Sequence, residues 1–281
     1  MTLNVSVLVL PAFDELATLP SEATPWVSAY DLDEQVRIDG VPTPVRYADS
    51  GLAVVPTGVG KTAAAATTTA LLSSDRLDLD DALVLSVGVA GGPPNLPVGS
   101  VVIADTIVDW DDKFRIDATG EVPIGLNPYT DDQGVFELDS DLVEEALTCS
   151  TEVDLVGSND ESGSASTEQT GPTVETGTNL CGDELWHGLE LAQQAAWFVA
   201  ESGAGPYRAT EMEDAGTAMA LERVGHLDRY LSIRGISNYD RPTADVSARR
   251  SLFDPAFEAG FERGIENAVR VARTVVDDRL T

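Results

Sequence analysis

The stretch that most constrains the fold runs from Thr57 to Gly92, TGVGKTAAAATTTALLSSDRLDLDDALVLSVGVAGG. Leu52 to Val55, just before it, is a short apolar run that suits a buried strand. Pro-Thr-Gly-Val-Gly then reads as a turn and Lys61 to Leu72 as an Ala-rich helix. Ala82 to Val87 reads as a second apolar strand ending in Gly88-Val89-Ala90-Gly91-Gly92. Two strands joined by a helix of this length are expected to be parallel neighbours with a right-handed crossover. Both glycine-rich turns would then lie at carboxyl ends of strands, where open α/β sheets bind ligands. Glycine there lets the backbone approach a ligand and leaves N–H groups free to donate. Two other readings compete. The string GVGKT resembles the end of a phosphate-binding P-loop, but Val55 holds a position that the motif reserves for glycine. Alternatively, the glycines only make tight turns.

With 281 residues the chain can bury a full core as one large α/β domain over its whole length. Its formal net charge is −31, yet its apolar content is ordinary, which argues against disorder. Lys61 and Lys113 are the only lysines; the other basic residues are arginines. An acidic, lysine-poor surface around a normal core is expected of a halophilic archaeon, whose salty cytosol screens the self-repulsion. The same field argues against nucleic acid or anionic membranes as partners. Most single carboxylates therefore read as solvation rather than chemistry. Cys149, Cys181, His187 and His226 lack the paired spacing of a zinc site, and so few histidines argue against a serine–histidine triad. No apolar run reaches the ~18 residues that span a bilayer. The start MTLNVSVLVLP has no basic leader and reads as a first strand, so a cytoplasmic location is expected.

In order, Asn4 to Leu10 is read as the first strand, followed by an acidic loop and helix. Gln35 to Ile38 and Pro44 to Tyr47 are read as a hairpin, Ser100 to Trp110 as a strand, and Lys113 to Ile124 as strand or loop. Val135 to Leu138 is a further short strand, and Ser140 to Leu147 a helix with its serine as cap. The polar, low-complexity segment around residues 156–172 is read as a surface loop. Asp183 to Ala200 reads as a helix, Tyr207 to Glu211 as a strand, and Met212 to Arg223 as a helix. Tyr230 to Ile236 is a late strand and Asp254 to Asp278 a closing helix.

The succession TGVGKTAAAATTTALL, VGVAGGPPNLPVGSVVIAD, DWDDKFRID, GDELWHG, TEMEDAGTAMAL and IRGISNYDRP resembles the purine nucleoside permease family, in the family's order over nearly the whole chain. That family is similar in turn to the nucleoside phosphorylase-I superfamily of purine nucleoside phosphorylases and nucleosidases. The resemblance implies a three-layer α/β/α fold with a central mixed sheet, homo-oligomers, and cleavage of the purine N-glycosidic bond. A chain without a membrane span cannot carry a solute across a bilayer by itself. An enzyme that consumes the nucleoside inside the cell would still drive net uptake. A nucleoside-binding protein that feeds a separate transporter is the alternative.

Such cleavage passes through an oxocarbenium-like ribose while negative charge grows on the departing base. A donor at the purine, an acceptor for the ribose hydroxyls and a nucleophile under the anomeric carbon all help. The resemblance assigns the ribose hydroxyls to Glu213, with Met212 packed on the sugar. It assigns the base donor to Asn238, where many relatives have aspartate, with Asp240 as second candidate. Asp183, Leu185 and Trp186 match the base-pocket segment, with leucine at the stacking position. Glu22 matches the acid that activates water, with Asp14 or Glu15 as alternatives. Thr57, Gly58, Gly88 and Val89 are placed around the phosphate or water. The arginine and hydroxyl that grip phosphate in the hexameric phosphorylases are missing, since Ser86 and Val89 hold the corresponding places. Arg46, Arg115, Arg208 or an arginine from a neighbouring subunit could restore the charge. This tilts the reading toward hydrolysis, with no cofactor and with phosphate as the competing co-substrate.

Overall fold

The computed structural model describes residues 2–14, 16, 19–117, 123–130, 134–157 and 171–281. Its elements in chain order are β1 (Leu3–Asn4), β2 (Val7–Leu10), α1 (Thr24–Tyr30), β3 (Glu34–Val36), β4 (Val45–Tyr47), β5 (Leu52–Val54) and α2 (Lys61–Leu72). There follow β6 (Leu77–Asp78), β7 (Leu83–Gly92), β8 (Val101–Asp109), β9 (Lys113–Arg115), β10 (Ile124–Leu126), β11 (Val135–Glu137), α3 (Ser140–Cys149) and β12 (Val174–Cys181). The chain continues with α4 (Leu189–Glu201), β13 (Tyr207–Glu211), α5 (Asp214–Glu222), β14 (Tyr230–Tyr239), α6 (Ala248–Leu252) and α7 (Ala256–Arg279).

The main sheet is mixed and runs β11-β8-β12-β13-β7-β2-β5-β4-β3, with β14 pairing both β7 and β8. The strand β14 is parallel to β7 and antiparallel to β8. Because β8, β12, β13 and β7 are also linked in series, these strands close on themselves, and β13 meets β7 at the single pair Thr210–Gly91. In β2 all four residues are buried, as a central parallel strand covered on both faces requires. Helices complete the layers: α7 packs on β14 and β7, α3 and α1 pack on α7, and α2 packs on α5. Two contacts need glycine. A Cβ on Gly216 would collide with the Lys61 carbonyl, and one on Gly235 with the Gly264 carbonyl, so both let backbones approach closely.

Several expectations hold, and several need correction. The helix over Lys61–Leu72 is found with those bounds, and the hairpin is β3–β4. The strands β5 and β7 are not neighbours, because β2 lies between them, parallel to both. The segment Gly88–Gly92 is no turn: it continues β7 and pairs with Arg234 to Tyr239 of β14. A Cβ on Gly88 would lie 2.7 Å from atoms of both Arg234 and Glu22, so its glycine serves close packing. The strand β12 escaped the sequence reading because VETGTNLC is polar, although its Thr178 and Asn179 are buried. The first strand is broken into β1, on β6, and β2. The helix expected from Asp183 starts only at Leu189, after Gly188, because Asp183 and Glu184 make distant bonds instead. Asp139, not Ser140, caps α3 by accepting from the N–H groups of Asp141 and Leu142. Residues 158–170 of the expected surface loop, and Glu15, lie outside the described residues.

Candidate active site

A cavity of about 680 Å³ opens where the strand ends converge. Glu22, Val89, Leu185, Trp186, Met212, Glu213, Asn238 and Asp240 all line it. They come from the loop before α1, from β7, from the segment before α4, from the β13–α5 junction and from the end of β14. Thr57, Gly58, Gly88 and Asp183 do not line it. The Gly58 N–H is taken by the Ala12 carbonyl at 2.9 Å and the Thr57 N–H by the Pro11 carbonyl at 2.9 Å, so neither is free for an anion. Asp183 instead faces the start of α2, accepting from the Lys61 N–H at 2.7 Å and the Thr62 hydroxyl at 3.2 Å.

Among the acids near the amino terminus, Glu22 is the one buried at the cavity. Its carboxylate accepts from the N–H of Ala12 at 2.8 Å and of Val89 at 3.0 Å, which fixes its direction. Burial pushes its pKa up, while Arg234 and these N–H donors oppose the rise. Asp14 is half-buried and engages Ser21 and Arg46.

Glu213 ends the β13–α5 junction, and its Oε1 accepts from the Gly60 N–H at 3.0 Å. Beneath it lies Arg234, a single cation in the apolar strand YLSIRGIS, 1% exposed. Its guanidinium reaches Glu211 at 2.9 Å, Glu213 at 3.5 Å, the Ser86 hydroxyl at 2.7 Å, and Asp214. Asp214 also accepts from Ser232, Tyr230 and Asn179. With three acids around one cation in a dry site, burial raises Glu211 to about 8 and Glu213 to about 7. For Asp214 the same burial is outweighed by Arg234, and its pKa is lowered. Ser86 and Val89 still hold the places of the phosphate-gripping arginine and hydroxyl, but a buried arginine that the sequence reading did not name lies behind them. Arg234 approaches the Gly88 segment from an adjacent strand, whereas Arg46, Arg115 and Arg208 face Asp14, Glu184 and Glu175. A lone arginine inside a hydrophobic strand was the signal for it.

On the other wall, the register of β14 shifts between Ile236 and Asn238, opposite Ala90 and Gly91 of β7. The bulge lets both Ser237 and Asn238 line the cavity. The Ser237 hydroxyl donates to Asn238 Oδ1 at 2.8 Å, and Asn238 Nδ2 donates to the Tyr239 carbonyl at 2.9 Å. One amide hydrogen of Asn238 is left over. Asp240 is differently placed: Oδ1 accepts from Arg241 at 2.6 Å, and Oδ2 from Arg241 at 2.8 Å and Tyr207 at 3.0 Å. Trp186 is buried against Trp110, with ring centroids 6.3 Å apart, whereas Leu185 is 67% exposed at the mouth.

The architecture is a mixed α/β fold of the nucleoside phosphorylase-like type. The profile of the purine nucleoside permease family matches residues 4–281, and the chain belongs to that family. A purine nucleoside permease of Candida albicans is 27% identical over 300 residues, covering 92% of this chain and 72% of the relative. A 5′-methylthioadenosine/S-adenosylhomocysteine nucleosidase of Marinomonas is 30% identical over 122 residues, which is 41% of this chain and 49% of that protein. The crystal structure of such a nucleosidase from Neisseria meningitidis, in complex with methylthio-immucillin-A, superposes with a TM-score of 0.67. It is 20% identical and covers 98% of this chain and 99% of its own. Among the described residues, no helix is long and apolar enough to cross a membrane.

Proposed function

We propose that the protein cleaves the N-glycosidic bond of purine nucleosides, and does so by hydrolysis. The observation that carries this reading is the convergence of Glu22, Glu213 and Asn238 on one cavity from segments far apart in the chain. Glu213 would accept the ribose hydroxyls, and its contact with the Gly60 N–H holds it in place. Met212 would pack on the sugar, with Leu185 and Trp186 beside the base. The free amide hydrogen of Asn238 would meet the purine N7, where charge grows as the C–N bond breaks. Asparagine donates without a proton of its own, which suits 6-oxopurines. Glu22, made more basic by burial, would take a proton from water as its oxygen bonds to the anomeric carbon. The departing purine anion finally takes a proton, so the products are free base and ribose.

Water is favoured over phosphate by charge. Arg234 is already met by Glu211, Glu213 and Asp214, and Glu22 adds another acid beside it. A dianion entering there would find no uncompensated cation. The family name and the Candida relative support a second reading, a nucleoside-binding protein that assists uptake without turnover. Homo-oligomers and a salty cytoplasm remain part of the proposal.

The test is release of free purine from inosine, guanosine and adenosine in high KCl, with and without phosphate. Free ribose at a rate indifferent to phosphate is expected. Strict phosphate dependence with ribose 1-phosphate would replace hydrolysis by phosphorolysis, and saturable binding without any base release would favour the uptake reading.

A further inference from the structure

The GVGKT string is not a phosphate cradle, yet its lysine is not idle. The chain uses arginine for every cation except Lys61 and Lys113. Lys61 Nζ lies 2.7 and 2.9 Å from the two oxygens of Asp109 and 3.0 Å from Asp111. Asp111 Oδ2 also accepts from the Asp183 N–H at 2.9 Å. From the other side, the Lys61 N–H donates to Asp183, and the preceding Gly60 N–H donates to Glu213. The helix α2 has no side-chain cap of its own. Its first N–H groups are satisfied by two acids far away in sequence, one on each side of the cavity. Asp183 opens the segment whose Glu184, Leu185 and Trp186 form the base-side wall, and Trp110 Nε1 donates to Glu184 at 3.3 Å. A compact ammonium can serve several carboxylates that do not share a plane, which the flat guanidinium fork does less well.

We propose that Lys61 is a positioning residue: through Asp109, Asp111 and the start of α2 it locks the base-side wall to the ribose-side acceptor Glu213. The inference rests on the nucleoside-cleaving reading for its consequence in catalysis, but not for the lock itself. Lys61 touches no substrate. Its loss should loosen the wall rather than disable the reacting groups.

The test compares Lys61→Met and the double variant Lys61→Met/Asp109→Asn with the unaltered protein. Removing the ammonium alone leaves Asp109 uncompensated, which can cost folding; the double variant removes that charge while leaving Asp111 without its Lys61 ammonium, and both variants keep the backbone N–H bonds to Asp183 and Glu213. Two readouts are taken: amide hydrogen exchange of residues 182–188 against that of β7, and the steady-state constants for inosine. Faster exchange over 182–188 with β7 unchanged is expected in both variants. With it, KM should rise about tenfold while kcat changes by less than about threefold. Unchanged exchange in the double variant, or full recovery of KM there, would overturn the proposal and leave Lys61 as a neutraliser of Asp109. If the unaltered protein releases no purine from any nucleoside, the functional reading falls, and the exchange comparison still decides the lock.

Discussion

Two ion clusters lie beside the cavity, one built on Arg234 and one on Lys61 with Lys113 close by. Glu211 and Glu213 of the first shift opposite to Asp111 of the second. Around Arg234 the groups are almost wholly buried: burial dominates, and it raises Glu211 and Glu213. Around Lys61 the acids are unevenly buried, Asp109 at 7% and Asp111 at 34% side-chain exposure. There burial also works against the charged form, but the Asp183 N–H and Lys61 outweigh it, and Asp111 is lowered. The comparison teaches that charge count alone does not set protonation. Full burial raises Glu211 and Glu213, while half-buried Asp111, held by a backbone N–H and two lysines, is lowered.

The sharpest way to break the contrast is Arg234→Met. It strands Asp214 and its partners in a dry site, and breaking one side of a buried pair costs about 3–5 kcal/mol. Denaturant melts should show that loss; a cost below about 1 kcal/mol would mean that the buried cluster is no tighter than a surface pair. Glu213→Gln comes next. Turnover should fall roughly a hundredfold, about 3 kcal/mol of contact that strengthens in the transition state, with the melt little changed. Near-normal kcat would remove Glu213 from the ribose.

Acid and base then separate the clusters further. With Glu213 raised to about 7, kcat/KM should climb as pH rises through neutrality, because only the carboxylate accepts the ribose hydroxyls. Stability should move the other way. Folded Glu211 holds its proton to about 8 while an unfolded glutamate loses it near 4.5, so its contribution is complete in acid and is lost as pH rises through about 8. Asp214, lowered by Arg234, contributes with the opposite sign, and its share is lost only on acidification. Melts of Glu211→Gln across this range should show a flatter profile than the parent; an identical profile would refute the assignment.

Asn238→Asp should shift preference from inosine toward adenosine by about tenfold. An unchanged ratio would mean that the base is read elsewhere. The smallest effect concerns salt. Raising KCl from about 0.1 to about 2 M should raise the melting temperature by screening the surface, whose formal charge is −31. The Arg234→Met penalty should stay within about 0.5 kcal/mol across that range, because buried pairs are screened far less. A penalty that shrinks with salt would place Arg234 in a wetter environment than the burial implies.

By itself the sequence determined the α/β class, the helix from Lys61 to Leu72, most strand positions, and the candidates Glu22, Glu213 and Asn238. Those are local patterns: an alanine-rich run after a glycine turn, short apolar stretches, and short motifs in a recognisable order. What only the tertiary structure decided depends on distant pairing. The string Gly88–Gly92 looks like a turn and becomes strand because β14 supplies its partner. VETGTNLC carries no clear strand pattern and becomes an inner strand because β8 and β13 pair with it on either side. Arg234 could not be placed until the closed ring of strands brought β13, β7 and β14 together around it. Asn238 and Asp240, two residues apart, both line the cavity but differ in partners that only the fold supplies, with Arg241 and Tyr207 donating to the Asp240 carboxylate. Contacts between residues tens of positions apart, as in Tyr207 with Asp240, or well over a hundred apart, as in Ser86 with Arg234, decide such matters, and local propensity carries little record of them.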